Sequence, residues 1–152
     1  MVWELEWDTF TFEVDSEGRP YTRGVLSTVN SIYDPTGFLA PIVVRGKLFL
    51  GSMISDSSGW DDPLPIYLKK KWEHLKNSLK HLEKLHLRRT FCQCSFQQAH
   101  QKTVLIFADA SEKAIAAVAH LKLVDDDGNT DCGFLMAKAK VAPSYVHTHS
   151  IP

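Results

Sequence analysis

The spacing of apolar residues switches period along this chain, and each switch marks an element. From Thr9 to Val14 the residues alternate, with Phe10, Phe12 and Val14 on one side and Thr11 and Glu13 on the other. That pattern predicts a half-buried strand. Asp15-Ser16-Glu17-Gly18-Arg19-Pro20 is rich in turn formers and ends it. From Val25 the spacing becomes helical, with Val25, Leu26, Val29, Ile32 and Tyr33 on one face and Ser27, Thr28, Asn30 and Ser31 opposite. Asp34-Pro35-Thr36-Gly37 stops this short helix, because proline disfavours helix in the residue before it and glycine permits a reversal. Pro41 suits the first turn of a second helix through Ile42, Val43, Leu48, Phe49 and Met53. After a loop at 55–59, Trp60-Asp61-Asp62-Pro63-Leu64-Pro65 opens the longest helix. In it Leu68, Trp72, Leu75, Leu79 and Leu82 form one stripe, which reads as a core or helix-pair contact too short to specify a coiled coil.

The stretch from Thr90 to Lys102 is polar and mixed, and a linker is expected over 91–102. Beyond it the pattern is β. Val104-Leu105-Ile106-Phe107-Ala108 reads as a buried strand. From Ala114 to Val124, Ile115, Ala117, Ala119, Leu121 and Leu123 share a face, with His120 and Lys122 on the other. Asp125-Asp126-Asp127-Gly128-Asn129 is a hairpin turn, since Asp-Gly and Gly-Asn accept the positive φ of tight turns. Asp131 to Lys138 pairs back, with Cys132, Phe134 and Met136 alternating against Gly133, Leu135 and Ala137, and residues 139–152 are expected to be loop. The fold class is therefore α+β, a helical segment over 1–90 followed by a three-stranded antiparallel sheet within 103–152.

Composition changes this picture little. Hydrophobic residues make up 44% and charged residues 23%, enough apolar material for a packed core, and the net charge of −1 says nothing about partners. The distribution of charge says more. Residues 1–17 hold acids but no Lys or Arg, whereas residues 64–89 hold Lys69, Lys70, Lys71, Lys76, Lys80, Lys84, Arg88 and Arg89 against Glu73 and Glu83. A block of that sign attracts phosphate, although alone it reads first as a solvated helix face. Cys92, Cys94 and Cys132 lack a disulfide framework and the paired spacing of a zinc site. The acidic start is unlike a signal peptide, and no apolar run approaches the ~20 residues that span a bilayer. An intracellular location, cytoplasmic or nuclear, is expected, with no membrane partner.

The candidate chemistry centres on Asp109. A strand ending in one carboxylate followed by the small residues Ala110 and Ser111 presents a charge at the rim of a sheet with room beside it. Hydrolysis of a phosphodiester by two divalent metals needs several such carboxylates. Asp125, Asp126 and Asp127 sit one strand length away, about 30 Å at ~3.3 Å per residue. Glu112 is expected to face solvent in the turn. The third strand returns toward Asp109 near Ala137 to Val141. The Asp125 turn lacks the spacing and closing Glu of a calcium loop. His147 and His149 read as tail residues, and Asp56-Ser57-Ser58-Gly59 is not an aspartic-peptidase motif.

Four ordered blocks then carry a family resemblance. Thr22 to Pro41, with Leu26-Ser27 and Tyr33-Asp34-Pro35-Thr36-Gly37, resembles the Leu-Ser…Tyr-Asp-Pro-Leu-Gly…Pro signature of BEL/Pao retrotransposon polyproteins. Gly59-Trp60-Asp61-Asp62 is similar to that family's Trp-Asp block, and Phe107-Ala108-Asp109-Ala110-Ser111 to its Asp-Ala-Ser motif. Ala137 to Pro143 with Ser150-Ile151-Pro152 is similar to the segment ahead of its Arg-Leu-Glu-Leu. Thr36 departs from the usual Leu, which bears on packing.

By that resemblance, residues 1–90 are like the end of a reverse-transcriptase palm with its thumb or connection, and 103–152 open a ribonuclease H-like domain that is incomplete. Asp109 becomes the first catalytic, metal-binding carboxylate, for Mg²⁺ in the intact parent, with no tight binding expected by this chain alone. Lys69, Lys70, Lys76, Lys80, Lys84, Arg88 and Arg89 become contacts to nucleic acid. The partners implied are an RNA–DNA hybrid and the remainder of the polyprotein. The family's next acidic motif would follow Pro152, so the isolated chain is expected to be catalytically inactive. A non-catalytic binding module, domesticated or degenerate, is the alternative, and a relic without function is a third.

Overall fold

A computed structural model describes residues 1–15, 20–56, 59–90, 92–93 and 95–143. The elements in chain order are β1 (Val2–Glu4), β2 (Thr9–Thr11), α1 (Thr22–Ser31), α2 (Ala40–Asp56), α3 (Ile66–Lys80), a 3₁₀ turn (His81–Lys84), β3 (Leu87–Arg88), β4 (Gln101–Ala110), β5 (Ala114–Val124) and β6 (Thr130–Val141). Two three-stranded antiparallel sheets, β1-β2-β3 and β4-β5-β6, accompany the three helices. The α+β class and the antiparallel second sheet are as the sequence predicts. Cys94, His147, His149 and the terminal Ser150-Ile151-Pro152 lie outside the described residues.

The helical stripes become the main core. Phe12, Val14, Val25, Val29, Leu39, Leu50, Met53, Leu64 and the α3 stripe of Leu68, Trp72, Leu75 and Leu79 are buried together with Leu82 of the 3₁₀ turn. Trp72 is fully buried and its ring lies 6.2 Å from that of Phe49 on α2, nearly parallel to it. Helices α1 and α2 cross where Val29 seats against Gly46, and any Cβ at Gly46 would crowd the valine methyls. The β1-β2-β3 sheet caps this unit. Only β2 shows in the apolar pattern, because its alternation continues past the paired residues to the buried Phe12 and Val14, whereas β1 and β3, of three and two residues, have no such extension. The basic segment consequently ends in a strand rather than in helix α3.

The second sheet has far less cover. Its own buried hydrophobics, among the described residues, are Ala99, Leu121 and Leu123, with Cys92 and Leu135 against them. Cys92 and Ala99, from the segment before β4, lie on this face, and the Cys92 thiol reaches the Leu121 carbonyl at 3.5 Å. Three expectations fail in this sheet. First, β4 is not buried: Ile106 is 70% exposed, Phe107 59% and Val104 54%. It is an edge strand, so its apolar run reflects the composition of a two-sided strand without the cover that such a run implies. Second, the alternation in β6 breaks. Ala119 pairs with Met136 but His120 with Phe134, so Leu135 is the extra residue of a bulge. Met136 thereby shares the face of Ala119, opposite to that of Phe134. Third, residues 139–141 continue β6 instead of forming loop.

One turn joins the two halves. Asp34 accepts hydrogen bonds from the backbone N–H groups of Phe38 (3.0 Å) and Leu39 (2.8 Å), closing the turn into α2. Gly37 has φ +76°, and a Cβ there would overlap the Ala137 carbonyl oxygen of β6. The Ala137 N–H donates to the Thr36 carbonyl at 2.8 Å, and the Phe38 ring meets that of Phe134 edge-on at 5.2 Å. Gly37→Ala should therefore destabilise the chain by roughly 1–3 kcal/mol, through the left-handed φ and the collision with β6 together. Urea unfolding followed by tryptophan fluorescence checks this, and an unchanged midpoint would show that the joint is slack.

Candidate functional site

Asp109 occupies the penultimate position of β4, paired with Ala116 of β5, which in turn pairs with Ala139 of β6. The face it shares with Leu105, Phe107, Val118 and Phe134 is turned toward the start of α2. Between the two lies a groove of about 580 Å³ lined by Phe38, Pro41, Val44, Phe107, Ala116 and Asp109 among others. The groove is apolar except near Asp109 and Lys138. Asp109 is exposed, and one of its carboxylate oxygens accepts from the N–H of Ala110 at 2.8 Å. The adjoining turn is closed by Ser111, whose N–H and hydroxyl both donate to the Ala114 carbonyl, at 2.8 and 3.1 Å.

The other acids of the sheet are where the register expected them. Gln101 pairs with Val124, so Asp125, Asp126 and Asp127 stand at the end opposite Asp109. Asp125 is committed to its own turn, accepting from the N–H groups of Asp127 (3.0 Å) and Asn129 (2.8 Å) and from the Asn129 amide (3.0 Å). The Asn129 side chain, above all, holds its carboxyl below the usual carboxylate range. Among the described residues no three His, Cys, Asp or Glu side chains gather as metal ligands. A pair of divalent cations needs several carboxylates, so the residues described do not fit that pair as a set, and Asp109 stands as a single oxygen donor. His120 lies on the Asp109 face further down β5, edge-on to Phe107 and Phe134 at 6.2 and 6.1 Å, with Nδ1 buried and unpartnered.

The basic residues are not one surface. On α3 the helical repeat puts Lys69, Glu73, Lys76 and Lys80 on one flank of the buried stripe and Lys70, Lys71 and His74 on the other. Lys76 is paired with Glu73 at 3.0 Å, which offsets part of the first flank. Lys84 lies in the 3₁₀ turn and Arg88 in β3, both exposed. Arg89 is engaged within the fold, donating to Asp8 from Nε at 2.6 Å and from a terminal nitrogen at 3.2 Å, with its guanidinium over the Trp3 ring. Missing from the basic set read in the sequence is Arg45 of α2, which faces the second flank across a groove containing Phe49. Its only signal was the i, i+4 spacing from Arg45 to Phe49, and nothing in the sequence aligned that face with α3.

The motif blocks therefore serve the scaffold as well as the site. Arg23 pairs with Asp61 at 3.0 Å and its N–H donates to the Trp60 carbonyl, so the first block clasps the Trp-Asp block. A helical unit clamped to a three-stranded antiparallel sheet, with one acid at the rim of the first strand, is consistent with a ribonuclease H-like region. A family model described as Pao retrotransposon-like RNaseH-like domain matches residues 22–152, and the chain belongs to that family as part of a retrotransposon polyprotein. Among curated proteins and among solved structures there is no significant match. No described helix is long and apolar enough to cross a membrane.

The Asp8–Arg89 pair makes part of the stability depend on pH. The hydrogen bond from Arg89 holds the Asp8 carboxyl below the usual range and raises the guanidinium's own pKa. A depressed folded-state pKa stabilises above the unfolded value, and that stabilisation is lost as pH falls through the folded one. Asp8→Asn should therefore lower the thermal midpoint near about pH 7, and the difference from the unaltered chain should shrink toward about pH 2. Calorimetric scans across that interval check it.

Proposed function

We propose that this chain works at the junction of reverse transcriptase and ribonuclease H in its polyprotein, where it helps to hold an RNA–DNA hybrid, and that by itself it does not cleave nucleic acid. The observation that carries the reading is the stance of Asp109. It sits exposed at the rim of β4, with β5 and β6 alongside and an open groove before it, while Asp125 to Asp127 are turned away at the far end of the sheet. On this reading Asp109 is one of the carboxylates by which the intact parent holds Mg²⁺, and the remaining ligands come from elsewhere in the polyprotein. The lysines of α3 and the segment beyond it touch phosphate. The work is intracellular, in cytoplasm or nucleus.

A labelled RNA–DNA hybrid incubated with the chain and Mg²⁺ or Mn²⁺ should remain intact. Cleavage that Asp109→Asn abolishes would overturn the inactive reading while retaining the aspartate's role. Cleavage that survives that substitution would remove both.

A second reading, a non-catalytic binding module, is favoured by the cationic excess over residues 64–89. It requires affinity for nucleic acid that falls steeply with added salt. Absence of any retention on a filter at low salt would exclude it.

A further inference from the structure

The groove between α2 and α3 shares no lining residue with the groove at Asp109 and brings cations from two helices together. Arg45 and Phe49 stand at i, i+4 on α2, and Lys70, Lys71, His74 and Leu75 line the facing side of α3 around a cavity of about 370 Å³. All four basic side chains are exposed, and none makes an ion pair with a described carboxylate. The other flank of α3 differs, since there Glu73 takes Lys76. The floor is apolar. Phe49 is half-buried, braced against the fully buried Trp72, and Leu75 continues the surface.

Cations around an aromatic floor match one ligand better than a smooth duplex. A duplex presents phosphates but keeps its bases stacked, leaving the floor unused. A single strand offers both a phosphate for the rim and the face of an unpaired base for the ring. An acidic peptide would satisfy the cations and leave Phe49 without a partner. Resting on the nucleic-acid reading above, we propose that this groove binds an unpaired nucleotide of a single-stranded segment. Arg45, Lys70 and Lys71 hold its backbone, and its base packs on Phe49. The groove then takes the strand adjoining a hybrid, while the remaining basic residues of the helical unit contact the hybrid itself.

The test is fluorescence anisotropy with the full chain and a labelled oligothymidine, a labelled hybrid duplex, and a strand of the same length lacking bases. Arg45→Gln with Lys71→Gln should weaken oligothymidine binding roughly 10-fold at low salt and lower the slope of log affinity against log salt by about 1.4, at about 0.7 for each phosphate no longer neutralised. Lys113→Gln with Lys140→Gln, both exposed in the second sheet and its β4–β5 turn, should change oligothymidine binding less than about 3-fold. Phe49→Leu, confirmed as folded by circular dichroism, should weaken oligothymidine but not the baseless strand. Equal weakening by the two paired substitutions would overturn the groove assignment while leaving general nucleic-acid binding in place. Equal weakening of the two strands by Phe49→Leu would overturn the base contact. Failure of the unaltered chain to bind any of the three at low salt would overturn the groove and the broader reading together.

Discussion

The arrangement of this molecule depends on the contact between the Asp34–Gly37 turn and β6. Gly37 brings its backbone close enough to the Ala137 carbonyl that no side chain fits, and the Thr36 carbonyl takes the Ala137 N–H. Asp34 fixes the turn by capping the entry to α2. Phe38 then lies against Phe134. Without this joint the groove that ends at Asp109 would not exist, since one wall is the first turn of α2 and the other is the sheet. In this chain Asp34, Thr36 and Gly37 of the Tyr-Asp-Pro-Thr-Gly block hold the two units in register.

The two units are held by different means. The helical one is stabilised by thirteen buried hydrophobic residues among those described, against three at the sheet, of which Ala99 lies in the segment before β4. At roughly 1.5–3 kcal/mol per buried large side chain, that disparity places most of the hydrophobic stabilisation in the unit formed by α1, α2, α3 and the segments packed on them. The sheet instead relies on the ladders joining β4, β5 and β6. Apolar side chains such as Ile106, Ile115 and Met136 remain open to solvent, which is the condition of a surface that ordinarily meets something else.

Much of this was legible in the sequence, and the failures have physical causes. The stripe from Leu68 to Leu82 was readable because a helix repeats one environment over several turns, and every member is buried. The Asp125–Asn129 turn was readable because Gly128 is needed at φ +81°. The position of Asp109, opposite the end where Asp125 to Asp127 lie, followed from strand lengths alone. What failed were features decided by neighbours distant in sequence. An apolar run such as Val104 to Ala108 reports what could be covered, not what is. The bulge at Leu135 is a property of a pair of strands and leaves no mark in either. Arg45 joined the basic groove only because α2 packs across α3, and Arg89 left the free cations only because β2 and β3 bring Asp8 beside it.

The small β1-β2-β3 sheet closes the longest loop of the helical unit. Thr9 and Phe10 pair with Arg88 and Leu87, so strands from opposite ends of the helical unit meet edge to edge. Closing so long a loop is entropically unfavourable until the intervening chain is already compact. A compact packing of α1, α2 and α3 shortens the span to be bridged and so lowers the cost of closing the sheet. The ion pair of Asp8 with Arg89 is thus a clasp between segments 81 residues apart, and its hold depends on the body that brings them together.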